Sequence, residues 1–437
     1  MRDGIRASRS AILGPGRRGA GHTVHVGPLR MAGAVSGRSS DRPPRDEADR
    51  PRAGSLLIVA TVGYTIRTFL VPYAKHFRAL GWRVDAAANG GPADEELQEA
   101  FDHVYDLPLS RSILDIRGIV QAERAVSALL STQPDIVHVH TPIAGFVTRV
   151  AVRRAPAERR PAIAYTAHGF HFHGGGNPVT NAVFLTAERV AGRWTDRLVV
   201  INEEDEAAAR CHRIVAERRL VRMPGIGVDT ARYARSSIDP TDAIRTLEGL
   251  TVPAGAPIFV VVAELSSRKR VADAIAALAS MQNTSARLLL AGSGPLRPLL
   301  DKLVGDLGLA DRVRFLGYVQ DVRPLVSAAT ALVLPSEREG LARSVMEALA
   351  LEVPVIASTA RGNRELIGAD SGILVPIGDV RGLAAAMDRM IDHPDERQAM
   401  GVRGRERMVE TYDLPVLLRM HEDMYQAMLI ERTRSAS

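Results

Sequence analysis

The sequence predicts an α/β protein built from two doubly wound parallel sheets in tandem. Short apolar runs alternate with amphipathic helical stretches, and the runs end in small or polar residues. The whole series then starts afresh after a Gly- and Pro-containing stretch at 224–257. Runs apolar on both faces suit strands covered by helices on either side, and ligands of such sheets gather at the strand carboxyl ends.

The first strand is SLLIVATV (55–62), followed by a helical stretch ended by Gly81 and a second strand at 83–88. DIVHVHTP (135–142), PAIAYTAHG (161–169) and DRLVVIN (196–202) continue the first sheet. The second sheet takes PIFVVVAEL (257–265), ARLLLAGSGP (286–295), VRFLGYV (313–319), TALVLPSE (330–337) and VPVIAST (353–359). Two open sheets in one chain leave a cleft between them. A last helical segment at about 413–432 is long enough to pack back across the first domain. The expected division is a tail at 1–54, domains at 55–232 and 233–412, and a terminal helix at 413–437.

At 437 residues, 46% hydrophobic and 24% charged, the chain suits two cores better than one. No apolar run approaches the ~18 residues that span a bilayer. The single cysteine, Cys211, excludes an internal disulfide and fits a reducing cytoplasm. The net charge of +6 comes from the first 54 residues, which hold eleven arginines against five acids. The remainder is balanced at 45 against 45, so nucleic-acid binding by the folded part has little support. The tail lacks an apolar signal region and any helical or strand period, and is expected to be disordered. It reads as sequence upstream of a later start such as Met31 in preference to a mitochondrial-type leader.

In SEREGLARSVMEALA (336–350), Gly340 breaks the line between two glutamates, putting Glu339 on a loop after a strand and Glu347 in the next helix. Ser344 with Glu347 also makes an S-x-x-E capping box, which alone would explain the second carboxylate. AGSGP (291–295), with Gly292 and Gly294, lies between strand and helix, where small residues let backbone amides approach an anion. The full G-x-G-x-x-G fingerprint is missing, which disfavours a nicotinamide dehydrogenase. His168 follows a buried strand beside Gly169, and His138, His140 and Thr141 end another. His168, His171 and His173 offer no confirmed third ligand on one side of an extended segment, so no metal site is expected there. There is no D-x-D sequence to hold a metal-bound diphosphate.

SEREGLARSVMEALALEVPVIASTARGNREL resembles the E-x7-E region of the retaining GT-B glycosyltransferases, family 4 of the sequence-based classification. TIRTFLVPYAKHFRALGWRVDAAAN, DIVHVHTPIAG, YTAHGFHFHGGGNP, INEEDEAAA and PGIGVDTARY are similar to the branch that builds capsular and exopolysaccharide repeat units. AELSSRKR, AGSGP, FLGYVQDV and VLPSEREGL extend the similarity through the second half, so that it covers about 55–430.

This resemblance implies the GT-B architecture: two Rossmann-like domains facing a central cleft, with a C-terminal helix crossing back. The first domain would bind the acceptor and the second the nucleotide sugar. By position, Glu339 would orient the donor sugar, Glu347 would accept from the ribose hydroxyls, and Lys269 with Arg268 would neutralise the leaving diphosphate. The amides of Arg343 and Ser344, at a helix start, would hold that diphosphate, and Tyr318 would lie near the base. His168 would contact the sugar near the reacting carbon. Many relatives carry arginine where this chain has Glu264, which throws the cationic load onto Lys269 and Arg268.

The implied reaction is metal-independent and retaining, with no cofactor beyond a nucleotide-sugar donor, of which a UDP-sugar is expected. A lipid-linked sugar, on a polyprenyl diphosphate, is the expected acceptor, reached from the cytoplasmic face. Arg149, Arg153, Arg154, Arg159 and Arg160 form a basic cluster suited to peripheral contact with an anionic membrane. A sugar-nucleotide epimerase of the same architecture is the leading alternative, and a non-catalytic two-domain binder is another.

Overall fold

In the computed structural model, residues 53–110, 115–172 and 176–436 are described, and the tail expected to be disordered lies outside them. Among the described residues, the first sheet comprises β1 (Ser55–Val62), β2 (Arg83–Asn89), β3 (His103–Asp106), β4 (Ile136–His140), β5 (Ala162–Ala167), β6 (Arg197–Val200) and β7 (Leu220–Arg222). The second comprises β8 (Ile258–Val262), β9 (Arg287–Ala291), β10 (Val313–Gly317), β11 (Ala331–Leu334), β12 (Val355–Ser358) and β13 (Gly372–Val375). The strand orders are β3-β2-β1-β4-β5-β6-β7 and β10-β9-β8-β11-β12-β13, with every pairing parallel. Each order reverses beside its first strand, at β1/β4 and at β8/β11, which opens a crevice at the carboxyl ends.

The period of two along each strand divides its apolar run between two helical layers. In β1, Leu56, Ile58 and Ala60 pack with one layer, and Leu57 and Val59 with the other. In β8, Phe259 and Val261 face one layer and Ile258 and Val260 the opposite one. The helices follow the expected places, with Val71–Ala79 before Gly81. Three strands, β3, β7 and β13, lie outside the expected set. They are three or four residues long and only partly buried, too short to show a hydrophobic period. The connecting stretch 224–257 also carries a helix, Pro240–Gly249, capped by the Asp239 side chain.

The chain crosses between the sheets twice. Outbound residues near Val228 and returning residues near Asp413 form a parallel bridge, with Val228 N donating to Tyr412 O at 2.8 Å and Leu414 N to Val228 O at 2.9 Å. The Thr230 hydroxyl donates to Asp413 Oδ1 at 2.9 Å. Helix Leu414–Ala436 then packs Leu417, Tyr425, Met428 and Leu429 into the core of the first sheet. Two Rossmann-like domains thus face one cleft, closed behind by a helix that crosses back.

The basic cluster requires a correction. Arg149 is 1% exposed, paired with Glu188 at 3.1 Å and lying over the Tyr165 ring at 4.2 Å. It is part of the core beneath helix Pro142–Arg154. The surface cluster is Arg153, Arg154, Arg159 and Arg160, of which Arg154 reaches Glu123 at 3.2 Å.

Candidate active site

Glu339 stands on the loop after β11, and Lys269 on the turn after β8, on either side of the second switch point. They meet at 2.6 Å, with side chains 9% and 16% exposed. Removing charges from water this far is costly, so the pair holds only because each supplies the other's partner. Glu337 N donates to Arg268 O at 2.8 Å, which ties the basic turn to the glutamate loop.

The next residue explains why glycine follows the glutamate. A Cβ at Gly340 would lie 2.4 Å from the His168 carbonyl oxygen, so a side chain there would push the domains apart. Gly362 in turn has its Cβ direction filled by Gly340 O. Contact between the His168 loop and the Glu339 loop therefore depends on these two glycines.

Arg361 holds the same contact electrostatically. Its guanidinium donates to Asp205 at 2.8 Å, to Phe170 O at 3.3 Å and to Glu339 O at 3.4 Å, spanning both domains. Asp205 is 1% exposed and also accepts from Phe170 N and from the Asn202 side chain. Burial raises the Asp205 pKa, against the opposing pull of Arg361. Sequence reasoning missed this pair, whose members lie 156 positions apart. The only hint was that both fall inside stretches carrying the family resemblance.

Glu347 is 6% exposed in helix Arg343–Ala350. The capping-box reading does not hold. The N-cap is Ala342 with no side-chain bond, which places Ser344 inside the first turn. Glu347 instead accepts from Tyr233 OH and from Arg343 Nε, each at 2.7 Å and each on Oε1. Arg343 also reaches the Thr68 carbonyl of the first domain.

His168 is half-buried, and its Nε2 lies 3.1 Å from His140 Nδ1. His140 packs on His138, which bonds Tyr425 and Thr166, and His138 stacks on His421 of the C-terminal helix. A line of four imidazoles thus runs from the helix to the cleft. Burial lowers the pKa of every one, to about 4 for His168 and for His421.

The unfolded chain takes up protons near pH 6.5 that the folded chain refuses until about pH 4. Stability therefore rises with pH through that window and is lost as pH falls. Melting temperature should drop steadily between those limits, with a shallower slope in His421→Gln. A flat profile in the wild type would contradict the buried neutral line.

Gly292 and Gly294 follow β9, and their Cβ directions are filled by backbone of Ala263 and Leu265. Close strand-end packing accounts for both glycines before any ligand is considered. Tyr318 follows β10 and is 66% exposed. Arg268 lines an open cavity with Arg338, Arg361 and Arg364, on the opposite flank of β8 from Tyr318. Among the described residues no three His, Cys, Asp or Glu side chains converge as a metal site, and His173 lies outside those residues.

Paired sheets, a cleft between their carboxyl edges and a terminal helix returning to the first domain define the GT-B architecture. Residues 66–232 match the family described as Glycosyltransferase Family 4, and residues 245–407 match Glycosyl transferases group 1. EpsD of Bacillus subtilis strain 168, provisionally called a glycosyltransferase, is 32% identical over 385 residues, covering 87% of this chain and 99% of EpsD. The chain belongs to this glycosyltransferase family. The Escherichia coli UDP-Gal:α-D-GlcNAc-diphosphoundecaprenol α-1,3-galactosyltransferase is 25% identical over 348 residues, covering 78% of this chain and 88% of that one. Among solved structures, Anabaena HepE in complex with UDP and glucose superposes with a TM-score of 0.73 at 19% identity, over 86% of this chain and 100% of HepE.

Proposed function

We propose that this protein transfers a sugar, with retention at the anomeric carbon, from a UDP-sugar to a lipid-linked saccharide during capsular or extracellular polysaccharide assembly. The observation that carries this reading is the Lys269–Glu339 pair, held at the second switch point and packed against the His168 loop of the other domain. The names of the similar proteins support the donor and the acceptor: HepE was solved with UDP, and the E. coli relative acts on a diphosphoundecaprenol-linked sugar.

In this reading Glu339 orients the sugar, and Lys269, with Arg268 beside it, stabilises charge on the departing diphosphate. The helix start at Arg343 and Ser344 supplies amides and a favourable dipole. The bonds from Tyr233 and Arg343 fall on Oε1 of Glu347, which leaves Oε2 to accept from the ribose. Gly292 and Gly294 shape the nucleotide crevice, and Tyr318 borders the base. His168 faces the reacting carbon, and the leaving phosphate takes the acceptor proton.

Lysine and helix dipole replace a metal in this scheme, so activity should survive exhaustive EDTA treatment. Complete loss restored by Mg²⁺ or Mn²⁺ would overturn that part. Product anomeric configuration, read by NMR from an α-linked donor, tests retention. Incubation without acceptor should give no epimerised donor.

Among the described residues no helix is both long and apolar enough to cross a membrane. Access to a lipid-linked acceptor would come from peripheral contact at the cytoplasmic face, through Arg153, Arg154, Arg159 and Arg160. Each such charge contributes about 1 kcal/mol near an anionic surface. Co-sedimentation with anionic vesicles should weaken as salt rises. Absent binding at low salt, with efficient transfer to a soluble sugar, would remove the membrane from the account.

A further inference from the structure

The cavity beside Glu339 carries more positive charge than its carboxylates answer. Arg361 is committed to Asp205, and Arg364 reaches Glu204 at 3.4 Å. Among the described residues Arg268 and Arg338 form no ion pair, although both line this cavity. Burial and the neighbouring Arg268 and Arg361 lower the pKa of Arg338, and Glu337 and Asp205 offset this only in part. The field of Arg338 also reaches His171 of the first domain. Guanidinium groups so placed are relieved by an anion, and they suit a phosphate because a planar fork donates two bonds at once.

Strand order says whose anion it is. Gly292 and Tyr318, at the ends of β9 and β10, lie on one flank of β8. Arg338 follows β11, and Thr359 follows β12, on the other. In a nucleotide sugar the diphosphate joins nucleoside to sugar, so it lies on the nucleoside side of the residue that orients the sugar. The cavity that Arg338 shares with Glu204 of the first domain would, on the transferase reading, lie beyond the sugar. That is where an acceptor approaches.

We propose that Arg338, with Arg364 on its rim and Arg268 on the side toward the donor, forms a second anion subsite that binds a phosphate of the acceptor. Because Arg338 directly precedes Glu339, the phosphate sits close to the acceptor's reacting hydroxyl. The acceptor is accordingly a short saccharide on a phosphate or diphosphate, formed by a reaction that transfers a sugar phosphate to a carrier. This rests on the transferase reading above.

The test titrates inorganic pyrophosphate into the full chain saturated with UDP, by calorimetry. A second binding event is expected, weakened about tenfold or more in Arg338→Gln, as for loss of a charge-assisted hydrogen bond, and less in Arg338→Lys, which keeps the charge and loses the fork. UDP affinity should stay within about twofold of wild type in both, because neither variant touches the donor diphosphate. Failure of the wild type to bind UDP overturns the transferase reading and the subsite with it. UDP binding without a second, Arg338-dependent event overturns the subsite alone, as does an equal loss of UDP affinity in Arg338→Gln. The same cavity could instead take a carboxylate on the donor sugar. If Arg338→Gln weakens UDP-glucuronate but leaves both UDP-glucose and the pyrophosphate event untouched, the anion belongs to the donor and the proposal fails.

Discussion

Replacing Glu339 with glutamine is expected to lower turnover by about 100-fold or more while nucleotide affinity changes little. Glutamine keeps the volume and one acceptor oxygen, so the loop after β11 retains its shape. What disappears is the negative charge 2.6 Å from Lys269, the charge that on the proposed reading orients the sugar. Lys269 then loses its partner in a place only 16% exposed, and on the proposed reading its ammonium is no longer held toward the departing phosphate. Initial rates at saturating donor, with UDP affinity from calorimetry, separate the two quantities. With Glu347 on the ribose as proposed, Glu347→Gln should behave in the opposite sense, raising donor KM more than it lowers turnover. If both variants weakened UDP equally and turned over normally once saturated, Glu339 would be a binding group only.

Arg361→Met should be the most destabilising single change in the cleft. Asp205 would keep its burial and lose its cation, and an uncompensated buried charge costs about 3–5 kcal/mol. The loss should also reach turnover, since Arg361 bonds the carbonyl of Glu339 and that of Phe170 in the same stroke. The double variant Arg361→Met with Asp205→Asn removes both charges, so most of the stability should return while turnover stays low. Thermal melts beside rates give both readouts. Recovery of rate together with stability would mean that the pair only cements the domains.

The fold could be read because its strands are buried on both faces, and continuous apolar runs such as IFVVV announce themselves without any partner. Edge strands did not, since HVYD and LVR owe their conformation to a neighbour's hydrogen bonds. Within the site, the separation of Glu339 onto a loop and Glu347 into a helix followed from one glycine. The capping box misled because S-x-x-E fits equally well two residues further in, and only the chain's path after Gly340 decides which residue caps. Arg149 was misplaced for a related reason. Its stem reads as a helix surface until Glu188, from a helix 39 positions away, is known to lie above it. Contacts between distant segments, Arg361 with Asp205 and His140 with His168, carry no local signature at all.

The paired crossing at Val228 and Asp413 gives the enzyme a door hung on two pins in place of one. A single connecting strand would let the domains swivel and twist freely. Two strands bonded side by side share one line, and both must flex at the same level for the cleft to open. Gly225 and Gly227, with φ of 76° each, place backbone freedom at that line. Donor entry and nucleotide release are then expected to follow a swing about that line. Each closure returns the His168 carbonyl to the bare face of Gly340 in the same register, without a search.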